Sequence, residues 1–307
     1  MQALQKLTPK LNLLKFNFST LKTASPHLIN VEDAKQFTND SQVKFLDIRD
    51  IEEYKKDHID AHTYSGDKFF WFRSGSDPQE IKKLQDTFQE YLVDMGVNKD
   101  DYLIPYEQQL SFRKGASCRA YYLLKLLGHK HVSILNGGYD KWLQENQPVT
   151  SEVRKVQAKG NFEAGWNKDI WASQVDVLET LKKKDRVFID VRDEDEWKGE
   201  SSSPLGKDFN TRKGRIEGAR WLFWEKLMKQ NNGVAEFNSP EEIRKQMEEI
   251  GVKDLNQPIT VYCFKGARAS NTLIALQTAG FKNVNNYFAS WNEWSEDHSL
   301  PIDDRVL

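Results

Sequence analysis

The sequence predicts an α/β protein of two tandem domains, each a mostly parallel sheet with helices on both faces. Three observations predict it. The length of 307 residues suits two ordinary domains, each large enough to bury its own core. Long stretches of the first half recur in the second. Within each half, short β-branched and aromatic runs alternate with longer helical ones.

Taken in chain order, the first segment stands apart. Met1 to Val31 carries Lys6, Lys10, Lys15 and Lys22, no Asp or Glu, and leucines at near-helical spacing. An acid-free, basic, amphipathic leader of this kind is expected to be a mitochondrial transit peptide over residues 1–24, although the arginines usual in such segments are missing. The expected location is therefore the mitochondrial matrix, with the cytoplasm as the alternative.

Copy one is expected over 25–150. It opens with Val43-Lys-Phe-Leu-Asp47-Ile-Arg49-Asp50, then Glu53-Tyr54 and His58-Ile-Asp-Ala61. Copy two, over 168–307, answers with Val187-Phe-Ile-Asp190-Val-Arg192-Asp193, Glu196-Trp197 and Arg215-Ile-Glu-Gly-Ala219. Trp142 and Trp294 close matching C-terminal segments. Strands are predicted at Lys44–Ile48, Val187–Val191 and Ile259–Cys263, and helices at Glu80–Met95 and Glu241–Ile250. The polar stretch 151–167, with two glycines, is the expected linker.

The chemistry is expected where Tyr262-Cys263 ends a buried strand. Phe264, Lys265, Gly266, Ala267 and Arg268 form a predicted loop, and a helix begins at Ala269. In open α/β sheets the reactive site lies beyond the carboxyl ends of the strands. Backbone N–H groups, the helix dipole, Lys265 and Arg268 would all favour the thiolate, the attacking form of cysteine. Gly266 would allow the chain to fold around one sulfur atom. A phosphate-cradling Cys-x5-Arg loop needs Arg six residues after the cysteine, where this chain has Ala269. That argues against a Cys-dependent phosphatase or arsenate reductase. Aligning Tyr106 with Tyr262 puts Glu107 at the cysteine's place, so copy one is expected to be inactive, with Cys118 a packing residue.

Composition narrows the alternatives. No apolar run approaches the roughly 20 residues that span a bilayer. A net charge of −2 supplies no electrostatic reason for nucleic acid binding. Two cysteines cannot build a disulfide framework or a multi-Cys zinc site. His129 and His131 have no further ligand nearby in sequence and are expected in a loop.

The two Asp-x-Arg segments, the Arg215-Ile-Glu-Gly-Ala219 and His58-Ile-Asp-Ala61 segments, the Cys263 loop and Ser290-Trp-Asn-Glu-Trp294 together resemble the tandem-domain rhodanese family, from about Ser25 to Asp304. That family includes thiosulfate and 3-mercaptopyruvate sulfurtransferases. The resemblance implies a catalytic second domain, a persulfide on Cys263, a small-molecule sulfur donor, and a thiol acceptor such as glutathione or thioredoxin. It implies no metal or organic cofactor, and a monomer is expected. The cationic loop favours thiosulfate over mercaptopyruvate, whose enzymes carry small polar loop residues. Phe264, Lys265, Gly266, Ala267 and Arg268 are the expected substrate-binding residues, together with Arg215, whose neighbours Arg212 and Lys213 are equally placed to meet an anion. Asp190 and Arg192 are expected to be a structural pair, and Trp291 and Trp294 packing residues. Outside the class, both copies could instead be docking modules without catalysis.

Overall fold

The computed structural model describes residues 26–72 and 75–307; the leader expected over 1–24 lies outside them. In the first half, β1 (Val43–Asp47) is central, with β2 (Thr63–Ser65) and β3 (Tyr102–Tyr106) parallel on either side. A parallel bridge from Leu103 to Val132 leads on to β4 (Ile134–Leu135), which pairs with Leu28–Ile29. All five residues of β1 are buried, as a strand covered on both faces requires. Val43 and Phe45 meet Phe37 and Trp142 on one face. Leu46 meets Leu84 and Phe88 of α1 (Pro78–Asp94) on the other.

The second half repeats the plan. Strands β5 (Val187–Asp190), β6 (Arg220–Trp221), β7 (Ile259–Tyr262) and β8 (Val284–Asn286) form a parallel sheet in the order β6-β5-β7-β8. Phe188 and Tyr262 face Trp291 and Trp294. Ile189, Ile259 and Val261 face the opposite layer, with Ile243 and Met247 of Pro240–Glu249.

Both long helices expected on each side begin before the predicted residue, because a cap and a proline start them. Asp77 accepts N–H bonds from Gln79 and Glu80 ahead of Pro78. Ser239 forms a capping box with Glu242 around Pro240.

The repeat survives as geometry. Tyr106 donates its hydroxyl to Asp47 at 2.8 Å, and Tyr262 donates to Asp190 at 2.7 Å. Arg49 and Arg192 grip the same aspartates, at 2.7 and 2.5 Å. Trp142 and Trp294 each donate to the carbonyl of a proline, Pro148 and Pro301. Because both copies hold the Asp–Arg–Tyr cluster and only one holds the cysteine, the cluster supports the fold, as expected for Asp190 and Arg192.

The halves meet through α2 (Ala116–Leu126) and α3 (Ala267–Thr278), and one hydrophobic cluster runs through both. A hairpin of the second half, Met228–Asn231 with Val234–Phe237, reaches across to the first, where Glu236 pairs with Lys141 at 3.1 Å. Residues 151–167 cross back over the first half, with Gly160 and Gly165 donating to Val93 and Leu127 carbonyls at 2.8 Å. The joint therefore buries apolar surface and is pinned by polar bonds.

Candidate active site

Cys263 follows the last residue of β7, is 1% exposed, and starts the turn into α3. The Gly266 N–H donates to its Sγ at 3.1 Å. Gly266 has φ +83°, and a Cβ there would lie 2.4 Å from Phe288 Cδ2, so glycine is required twice over. Behind the sulfur, the Cys263 N–H donates to Ser290 Oγ at 3.1 Å. Trp291 and Asn292 N–H groups donate to the Cys263 and Phe264 carbonyls. Ser270 Oγ and Asn286 Nδ2 both donate to the Gly266 carbonyl, at 2.7 and 3.4 Å. These bonds hold the loop from behind, away from the cavity.

Two expectations about this loop change. The helix begins at Ala267 rather than Ala269, so Ala267 and Arg268 belong to its first turn. Arg268 is also not an open cation. Its Nη1 lies 2.5 Å from Glu196 and 2.9 Å from Asp193, and its Nη2 donates to Glu196 at 3.1 Å. Burial alone would lower the affinity of this guanidinium for its proton; Glu196 first, then Cys263 and Asp193, hold it above its ordinary range. Arg268 therefore divides its charge chiefly between two carboxylates.

Above the sulfur lies a cavity of about 390 Å³ lined by both halves. Cys263, Phe264, Lys265, Ala267, Arg268, Pro204 and Leu205 come from the second half. Copy one contributes aromatic Phe70–Phe72 and the cationic run Arg113–Lys114 with Arg119. Arg113 stacks on Phe70 at 4.0 Å, and Lys114 pairs with Asp193 across the domain joint at 2.7 Å. The Lys265 ammonium lies over the Phe209 and Phe264 rings at 5.2 and 4.9 Å.

At the matching place in copy one, Glu107 is fully buried and takes the bonds a small anion would. Ser117 donates to Glu107 Oε1 from its N–H at 2.9 Å and its hydroxyl at 2.7 Å; the Arg113 N–H reaches Oε2 at 3.3 Å. Burial pushes its carboxyl from 4.5 up to about 7, against the downward pull of those bonds. A raised carboxyl pKa means that the folded state holds the proton longer than the unfolded one. Its contribution is complete below about pH 4.5 and is lost as pH rises through about 7. Glu107→Gln should flatten this part of the stability profile and stabilise the chain at pH 8 relative to the parent, by up to about 3 kcal/mol. Urea unfolding of both at pH 5 and pH 8 measures it; parallel profiles would refute it.

The two-copy plan has counterparts among known proteins. A model of the rhodanese-like domain matches the chain twice, over 30–145 and 173–297. The chain belongs to the rhodanese-like family. It is 28% identical to the "Sulfur carrier protein TtuD" of Thermus thermophilus, over 90% of this chain and 95% of that one. It is 30% identical to a "Thiosulfate sulfurtransferase" of Mus musculus, over 79% and 78% of the two chains. Among solved structures it matches the fold of the Escherichia coli 3-mercaptopyruvate sulfurtransferase SseA, with TM-score 0.71 and 24% identity over 86% and 98%.

In this rhodanese-like chain the cations expected beside the Ile-Glu-Gly-Ala segment lie elsewhere. Arg215 does not line the Cys263 cavity. It is buried against Trp197, pairs with Asp303 at 2.7 Å and donates to the Trp197 and Arg305 carbonyls. Arg212 holds the Asp297 and Leu300 carbonyls, and Lys213 pairs with Asp208 at 2.5 Å. Arg212 and Arg215 fasten the C-terminal segment, and Lys213 closes its own loop. Sequence reasoning missed the copy-one wall of the cavity and the Glu196 partner of Arg268. The one available signal was the acidic Glu196 in a segment near the motif; the wall residues carry no motif, and only the packing of the halves brings them to Cys263.

Proposed function

We propose that the chain is a sulfurtransferase that takes sulfane sulfur from thiosulfate and passes it to cyanide or a thiol through a Cys263 persulfide. The carrying observation is Cys263 at the floor of the inter-domain cavity, its sulfur accepting the Gly266 N–H at the start of α3. The Cys263 thiolate attacks the outer sulfur of thiosulfate; the S–S bond of the donor breaks and sulfite leaves with the electron pair. The acceptor then attacks the terminal persulfide sulfur and the thiolate is restored. The loop N–H stabilises the Cys263 thiolate, which attacks in the first step and departs in the second. Arg113, Lys114, Arg119 and Lys265 line the same cavity and favour an anionic donor.

3-Mercaptopyruvate is the alternative donor, since its carboxylate would meet the same cations. A second reading concerns the acceptor. Trp71, Phe112 and Leu205 line the cavity and are 61%, 64% and 57% exposed. Such an apolar rim suits a protein thiol as well as a small one, and the Thermus relative is named a sulfur carrier.

Intact-protein mass after incubation with thiosulfate tests the proposal. A gain of one sulfur mass, removed by cyanide, is expected. Parallel samples with 3-mercaptopyruvate rank the donors, and no adduct with either donor would overturn the reading.

A further inference from the structure

The copy without a cysteine at this place reaches the Cys263 loop through Arg119. Arg119, on α2 of copy one, is 3% exposed and bonds three carbonyls. Its Nε donates to Phe69 at 2.9 Å, its Nη2 donates to Phe72, and its Nη1 donates to Lys265 in the loop of the other half. The guanidinium also lies 4.4 Å from the centre of the Phe288 ring, the ring that crowds Gly266.

The Lys265 carbonyl and the Gly266 N–H belong to the same peptide unit. That unit is planar and trans, so its oxygen and its hydrogen point in opposite directions. One end is held by Arg119 of copy one, and the other donates to Cys263 Sγ at 3.1 Å. Gly266, with no Cβ and φ +83°, is the residue at which this peptide would turn over most easily. A cation on the carbonyl fixes the orientation of the plane. It also polarises the amide, which strengthens donation from its N–H.

We propose that Arg119 is a positioning residue for sulfur transfer: it orients the Lys265–Gly266 peptide so that its N–H serves the Cys263 thiolate and persulfide. The inference deepens the sulfurtransferase reading and rests on it for its meaning in turnover. It also assigns the inactive copy a task beyond packing. By gripping Phe69, Phe72 and Lys265 together, Arg119 couples the cavity wall to the state of the loop.

The test reads the thiolate directly, apart from turnover. Rates of Cys263 alkylation by iodoacetamide would be measured from pH 5 to 10 on the full chain, in Cys118→Ser background, for Arg119, Arg119→Lys and Arg119→Met. Arg119→Met should move the midpoint up by about one pH unit, with about tenfold slower alkylation at neutral pH. Arg119→Lys, which keeps a cationic donor, should fall between. Ser76→Ala serves as the comparison. Ser76 ties the segment beyond Phe72 to Glu293 through its N–H and hydroxyl, at 2.6 and 2.7 Å, and its hydroxyl also accepts from the Gln174 N–H at 2.9 Å; the substitution loses both hydroxyl bonds and keeps the N–H bond. It should leave the alkylation midpoint in place. Should Arg119→Met not fold, Arg119→Lys with the parent decides. A parent-like midpoint in a folded Arg119 variant, or an equal shift in Ser76→Ala, overturns the inference. Failure of the parent to gain sulfur from either donor would overturn the sulfurtransferase reading instead, leaving the alkylation result standing.

Discussion

Cys263→Ser should reduce thiosulfate:cyanide sulfur transfer by at least about a thousandfold, to the background rate. A serine hydroxyl in the same turn is neither ionised near neutral pH nor able to hold a sulfane sulfur. The Gly266 N–H would still find a side-chain acceptor and the residue's own N–H would still donate to Ser290 Oγ, so the protein should remain folded. No other group can replace the cysteine. Glu107 at the matching place is a buried carboxyl already bonded by Ser117 and Arg113. Cys118 is fully buried at the domain joint, where Asn271 Nδ2 lies 3.6 Å from its sulfur. Burial, and then the Glu107 carboxylate, push its thiol well above the ordinary range. Steady-state turnover of Cys263→Ser beside Cys118→Ser separates the two: the first should be dead and the second close to the parent. More than a tenth of parental turnover in Cys263→Ser would place the nucleophile elsewhere.

The second large effect is on stability. Glu196→Ala should cost about 3 kcal/mol, read as a drop in the urea unfolding midpoint at pH 7. Both side chains of the Arg268–Glu196 pair are nearly inaccessible, at 2% and 1% exposure. Removing one partner leaves a buried charge with only part of its compensation, and such losses run to about 3–5 kcal/mol. Asp193, 2.9 Å from the same guanidinium and 30% exposed, keeps the expected loss at the lower end. The double variant Glu196→Leu with Arg268→Met should recover most of the stability, because no charge is then stranded. A loss below about 1 kcal/mol in Glu196→Ala would mean that the site takes up water and the pair is not effectively buried.

These two sites differ in how openly the sequence displays them. Cys263 was legible because local features mark it: a β-rich run, one cysteine, a glycine and a helix in succession. The repeat was legible for the same reason, since each copy carries its own Asp-x-Arg and terminal tryptophan. The Arg268–Glu196 pair was not, because its members stand on different elements of one domain. The role expected for Arg215 went wrong in a related way. Its position next to a motif says nothing about the C-terminal segment that folds back to place Asp303 at its guanidinium.

By itself the sequence determined the two-fold α/β plan, the place of Cys263 after a buried strand, and the absence of a thiol from the same place in copy one. Those properties follow from residue type and periodicity along one stretch of chain. Only the tertiary structure decided which cations face the sulfur, that Arg268 is shared with Glu196 and Asp193, and that Arg119 reaches the Lys265 carbonyl. Charge in a folded protein is set by distance and burial between residues far apart in sequence, and those appear only once α2 and α3 bring the halves together.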